Sequence, residues 1–194
     1  RLSGRQPQPG SPSDAVDTPT VLAPPTYITS DQLLDQAPPA LRFSPDEERV
    51  LAAQLAQTST IKVDCRLAAP TLATHTGTRA ILDQPAVLVC PDTISQFREL
   101  TALLANASAD RVPLLIAAAA IDADTLQTVI ANKLSGTVAV AVVLGDEDAL
   151  TALAAAAGSP LSPRADRQSG AAGLRSLGRP SRIVADPDAT WAIP

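Results

Sequence analysis

Three hydrophobic patterns follow one another between Pro113 and Val143. Residues 114–118 (Leu-Leu-Ile-Ala-Ala) form an unbroken apolar run, as expected of a strand covered on both faces. Leu126, Val129, Ile130 and Leu134 then recur at helical spacing, which predicts an amphipathic helix. Asp122 is placed to N-cap it, Asp124 adds negative charge at the positive end of the helix dipole, and Gly136 supplies the left-handed residue that ends it. A second apolar run fills 138–143. Strand, helix and strand joined by short loops predict two parallel strands with a right-handed crossover.

Similar units flank this stretch. Residues 61–65 (Ile-Lys-Val-Asp-Cys) alternate and predict an edge strand, 73–79 form a polar turn around Gly77, and 81–82 followed by 86–90 form the next strand region. Asp92 or Thr93 is the expected cap of a helix carrying Ile94, Phe97, Leu100, Leu104 and Ala107 on one stripe, with Arg98 and Glu99 beside it. Asp146, Glu147 and Asp148 open an alanine-rich helix that ends at Gly158; a helix start is a sufficient structural reason for three acids there. A proline- and glycine-punctuated loop is expected over 159–173, followed by a short turn at 174–178. Two strands at 182–185 and 190–193, separated by Asp186-Pro187-Asp188, predict a closing hairpin.

The amino-terminal part reads differently. Residues 1–25 are rich in Pro, Gly, Ser, Gln and Asp and bury too little to offset ordering, so disorder is expected. At most one helical turn is expected at 30–35. Ser44, Pro45 and the acids 46–48 make a strong helix start, with Val50, Leu51, Ala52 and Leu55 as its apolar stripe and an end near Thr58. The expected organisation is a Pro-rich tail over 1–43, a helix and linker over 44–60, and an α/β domain over 61–194.

Composition narrows the function classes. Aromatic residues are only 2%, so the core must be built from Leu, Val, Ile and Ala. A net charge of -5 leaves no basic stripe for nucleic acid, and no apolar run is long enough for a bilayer. The sequence begins at Arg1, without Met, and is read as an excerpt or a processed product. Cys65 and Cys90 make neither a disulfide framework nor a metal site; Cys90, at the end of an apolar run, reads as a buried thiol. The single histidine, His75, reads as a solvated turn residue without metal-ligand company. No phosphate loop, dinucleotide fingerprint, nucleophile elbow or paired Cys-x-x-Cys is present, so no catalytic residue, metal or cofactor is expected.

Four collinear blocks carry a family likeness: Ile-Ser-Gln-Phe-Arg-Glu at 94–99, Pro-Leu-Leu-Ile-Ala at 113–117, Asn-Lys-Leu-Ser-Gly-Thr at 132–137, and 174–186 with 190–193. Together with Asp83-Gln84-Pro85, they resemble the apical domain of group I (GroEL-type) chaperonins over about residues 61–194. The resemblance implies a chaperonin apical-like α/β fold, with a swivelling β/α/β core and a terminal hairpin. In that family the two helices starting near Ile94 and Asp124 line a shallow apolar groove that takes non-native polypeptide. Carried over by position, the implied polypeptide-binding residues are Phe97, Arg98, Leu104, Leu126, Ile130 and Asn132.

The likeness has departures. A family leucine is Thr101, a family valine is Ala131, the exposed aromatics are replaced around 66–72, and one loop is shortened to 144–147. Lost apolar groups each forfeit roughly 1.5–3 kcal/mol of possible partner burial. Leu103 beside Leu104, and Val129 beside Ile130, give each helix two apolar lines, so either line could face the core.

The expected function is a polypeptide-binding, chaperone-like module without its own ATPase, since the family's nucleotide-binding domain has no counterpart here. The alternative is a non-catalytic scaffold subunit dedicated to one partner complex. A third reading, an enzyme on a doubly wound sheet, predicts a pocket near Pro91, Ala119 and Gly145 and ranks last. The partner is expected to be protein, with neither nucleic acid nor membrane, and the location cytoplasmic.

Overall fold

The structure, a computed structural model, describes residues 40–76, 78–169 and 173–194. The expectations for 1–39, and for Gly77 as a turn residue, lie outside the described residues.

Two four-stranded sheets organise the chain. The first has the order β2-β6-β5-β4, built from β2 (Arg66–Leu67), β4 (Ala86–Ile94), β5 (Leu114–Ile121) and β6 (Val140–Leu144). β4, β5 and β6 are parallel, with Leu88 opposite Ile116 and Ile116 opposite Val142; β2 adds antiparallel to β6. The chain steps in one direction across this sheet. Crossovers of one hand therefore put α2 (Arg98–Asp110) and α3 (Ala123–Leu134) on the same face.

The strand residues divide by parity. Leu88, Cys90, Leu114, Ile116, Val140 and Val142 pack with α2 and α3. Val87, Val89, Leu115, Ala117, Ala141 and Val143 pack on the other side with α4 (Glu147–Ala157) and the second sheet. Covering on both faces is why these strands read as continuous apolar runs. The local signals of the strand-helix-strand stretch are all in place. Asp122 accepts from the amides of Asp124 and Thr125, and Gly136 takes φ 71°. Asp146 accepts from the amide of Ala149, and Gly158 ends α4 at φ 63°.

The second sheet has the order β1-β8-β7-β3, from β1 (Ile61–Val63), β3 (Ala80–Asp83), β7 (Arg182–Ala185) and β8 (Thr190–Ile193). All its pairings are antiparallel. The expected hairpin is its centre: Asp186 Oδ1 accepts from the amides of Asp188 and Ala189 at the turn. The expected edge strand at 61–65 is present as β1, shorter by two residues. α1 (Pro45–Leu55) lies against β8, and the Gln54 side chain accepts from Arg182.

Four boundaries differ from the sequence reading. The pieces 81–82 and 86–90, read as one strand region, belong to different sheets, with the break between them where Gln84 takes φ 48° before Pro85. Neither Asp92 nor Thr93 caps α2. β4 continues past a register shift between Cys90 and Thr93, so Ile94 closes a strand and the helix starts at Arg98 with Phe97 at the cap position. The loop expected at 159–173 contains a short helix, α5 (Arg164–Ser169). In α1 the capping box of Ser44 and Glu47 is present, but only Leu51 of the expected stripe is buried and the helix ends at Leu55.

Candidate functional site

The six residues implied by the family likeness lie on α3, on α2 and at its start. Phe97 is half-buried at the cap position, offers no side-chain cap, and packs at the margin of the core that α2 and α3 share. Arg98 is exposed, and its side chain forms no hydrogen bond or ion pair among the described residues. Leu126 is half-buried at the same core margin. Leu104 and Ile130 are 5% and 3% exposed and belong to the core itself. Leu103 and Val129 are buried as well, so both apolar lines of each helix face inward. Asn132 is half-buried, and its amide donates to the Thr128 carbonyl one turn back at 2.8 Å.

The surface the two helices offer is therefore narrow in apolar terms. Of the six residues, Phe97 and Leu126 are the half-buried apolar side chains and Arg98 is the exposed charge. Thr101, at the position of a family leucine, is exposed, with its hydroxyl donating to the Phe97 carbonyl at 3.2 Å. Ala131 is half-buried. In the stretch 66–72, Arg66 is exposed while Leu72 is fully buried in the same core as Leu104.

Two charged anchors brace this surface; Lys133 lies within the block 132–137 that carries the family likeness, and Arg167 lies in none of the blocks. Lys133 Nζ donates to the carbonyls of Thr71 and Ala73, both at 2.6 Å, tying α3 to the 3-10 turn Pro70–Leu72. Burial lowers its pKa to about 8. The second anchor is Arg167 of α5, whose side chain is fully buried with that of Glu99. Arg167 Nη2 lies 2.9 Å from Glu99 Oε2 and 2.6 Å from Asp92 Oδ1, while Nη1 donates to the Ser162 carbonyl at 2.6 Å. Removing one partner of such a buried pair costs about 3–5 kcal/mol, because the other charge is left without compensation. A partial signal for α5 does exist in the sequence: Ser162-Pro163 resembles Ser44-Pro45, but one acid, Asp166, stands where the earlier helix has three, and the helix begins one residue after the proline.

The strand ends carry an open cleft of about 560 Å³ lined by Asp64, Arg66, Ala119, Leu144, Gly145, Asp146 and Asp188. It includes Ala119 and Gly145 of the strand-end pocket expected for an enzyme, but not Pro91. Its Asp146 is the α4 cap, a structural task. Among the described residues, no group of three His, Cys, Asp or Glu is placed to hold a metal ion. No described helix is long and apolar enough to cross a membrane.

Both cysteines are fully buried free thiols, and burial raises Cys65 to about 11 and Cys90 to about 12. His75 differs from the solvated turn residue expected of it. It is half-buried and stacked on Phe43 with ring centroids 4.4 Å apart, and burial lowers its pKa. Its partner Phe43 lies 32 positions upstream, outside any local turn pattern.

No family model matches the chain. Among curated proteins, the chain is similar to "Chaperonin GroEL 5" of Bradyrhizobium diazoefficiens, with 33% identity over 121 residues. The match covers 59% of this chain and 22% of that chaperonin, so the chain spans about a fifth of its relative's length. The finding gives a GroEL-like relationship for a chain whose described residues form an α/β arrangement of two sheets and five α-helices.

Proposed function

We propose that the chain is a polypeptide-binding module with a chaperonin apical-like fold and no ATPase of its own. The observation that carries this reading is the 33% identity with a chaperonin, over a length that is a small part of that protein. The geometry supports it: two helices lie side by side on one face of a parallel sheet, with half-buried Phe97 and Leu126 at the margin of their shared core. Apolar side chains left partly open, with an arginine that has no ion pair among the described residues, suit the capture of an amphipathic segment.

A second reading is favoured by one specific observation. Leu104 and Ile130 are in the core, so the apolar surface is small for a general binder of unfolded chains. A scaffold subunit holding one partner needs less. Capture of partners from the native lysate, quantified by mass spectrometry, separates the two when Phe97→Asp/Leu126→Asp is run alongside. Many clients lost together in the variant support the chaperone-like module. A single stoichiometric partner that survives the double change overturns it in favour of the scaffold.

A further inference from the structure

The start of α2, which carries Phe97 and Arg98, is held in place by groups distant in sequence. Glu99 Oε1 accepts from the Ser95 amide at 3.2 Å, closing the turn that presents both residues. Its other oxygen, Oε2, accepts from Arg167 Nε at 3.2 Å and Nη2 at 2.9 Å. The same guanidinium reaches Asp92 in the bulged part of β4 and the Ser162 carbonyl. Ser162 is itself fastened, its amide donating to the Val89 carbonyl at 2.7 Å. One buried side chain thus joins β4, the first turn of α2, and α5. Beside this junction Gln168 of α5, with Arg98 and Glu99, lines a cleft of about 280 Å³.

We propose that Arg167 is the positioning residue of the polypeptide-binding face. It fixes the first turn of α2, and with it Phe97 and Arg98, and it holds α5 as the far wall of the cleft that receives a side chain of the bound polypeptide. This rests on the polypeptide-binding reading. The physical reason is the set of donors: Nε and Nη2 converge on one Glu99 oxygen while Nη2 also reaches Asp92 and Nη1 the Ser162 carbonyl, and this charge-assisted set around a planar guanidinium, with the Arg167 and Glu99 side chains out of water, sets orientation as well as distance. Lysine, a point charge with one nitrogen, cannot reproduce the fork.

The test uses the full chain, with Arg167→Met, Arg167→Lys and the milder Glu99→Gln. Amide hydrogen exchange is followed over 95–100, and affinity is measured for a fluorescein-labelled, reduced and carboxymethylated α-lactalbumin, a permanently unfolded probe. Expected for Arg167→Met are exchange faster by roughly tenfold or more at 95–100, unchanged protection in β5 and β6, and probe affinity weaker by about tenfold, with Arg167→Lys between. If Arg167→Met does not fold, Glu99→Gln carries the same expectations at smaller size. Faster exchange with unchanged affinity overturns the positioning role alone, and so does unchanged exchange. A wild-type chain that binds no probe overturns the polypeptide-binding reading, and the positioning role with it.

Discussion

Leu104 of α2 and Ile130 of α3 belong to one buried core against the parallel sheet, although the family likeness places both in an exposed groove. Their substitution should be felt first in stability. Leu104→Ala and Ile130→Ala are each expected to cost about 2–5 kcal/mol in urea unfolding, as for other buried aliphatic truncations. Leu126→Ala, at a half-buried position, should cost clearly less. Equal losses at all three would contradict the burial pattern.

Lys133 predicts a pH dependence. Its pKa is about 8 in the folded chain and 10.5 ordinarily, so between those values the unfolded state binds the extra proton. Stability from this group therefore rises from pH 8 to 10.5 and is flat below. The neutral amine still has two N–H donors for the two carbonyls it faces. The difference in urea midpoint between the wild type and Lys133→Met should rise across that range; the two buried thiols, present in both chains, lower the stability of each above pH 9 and cancel in the difference.

The parts of the fold legible in the sequence were those decided by neighbours along the chain. The caps at Asp122 and Asp146, the terminators Gly136 and Gly158, and the turn at Asp186 each act within a few residues. The illegible parts depend on distant partners. β1 and β3 join the hairpin only through long-range antiparallel register. Thr93 and Ile94 stay in β4 because Ala120 and Ile121 extend β5 alongside them. Arg167 and Glu99, 68 positions apart, carry no common local pattern. In the candidate site, the two apolar lines on each helix were readable. That both would turn inward depended on how the helices seat on the sheet.

Two glycines mark close approaches. A Cβ on Gly178 would lie 2.0 Å from the Ala157 carbonyl oxygen, a backbone atom with little room to yield. A Cβ on Gly145 would lie 2.6 Å from Cys65 Sγ, which is a removable obstacle. Gly178→Ala should therefore destabilise by more than the roughly 1–3 kcal/mol typical of overpacking, with no single rescue. Cys65→Ala should recover most of the loss in Gly145→Ala. Thermal melts of the four variants check this; a Gly145→Ala defect that Cys65→Ala leaves untouched would refute the contact.

Buried thiols with raised pKa values should be inert. At neutral pH, neither Cys65 nor Cys90 should react with a disulfide reagent in the folded chain, while both should react in denaturant. Titration of thiols before and after unfolding reads this directly, and a fast native phase would contradict the placement of either residue.

On the proposed function, Phe97, Arg98 and Leu126 together form the surface that takes non-native polypeptide. The most direct measurement is a fluorescence anisotropy titration of labelled, reduced and carboxymethylated α-lactalbumin with the wild-type chain and with Phe97→Asp/Leu126→Asp. Saturable binding by the wild type is expected, weakened by about tenfold or more in the variant, with folding retained by circular dichroism. No binding by the wild type, or equal binding by both chains, would contradict the proposed function.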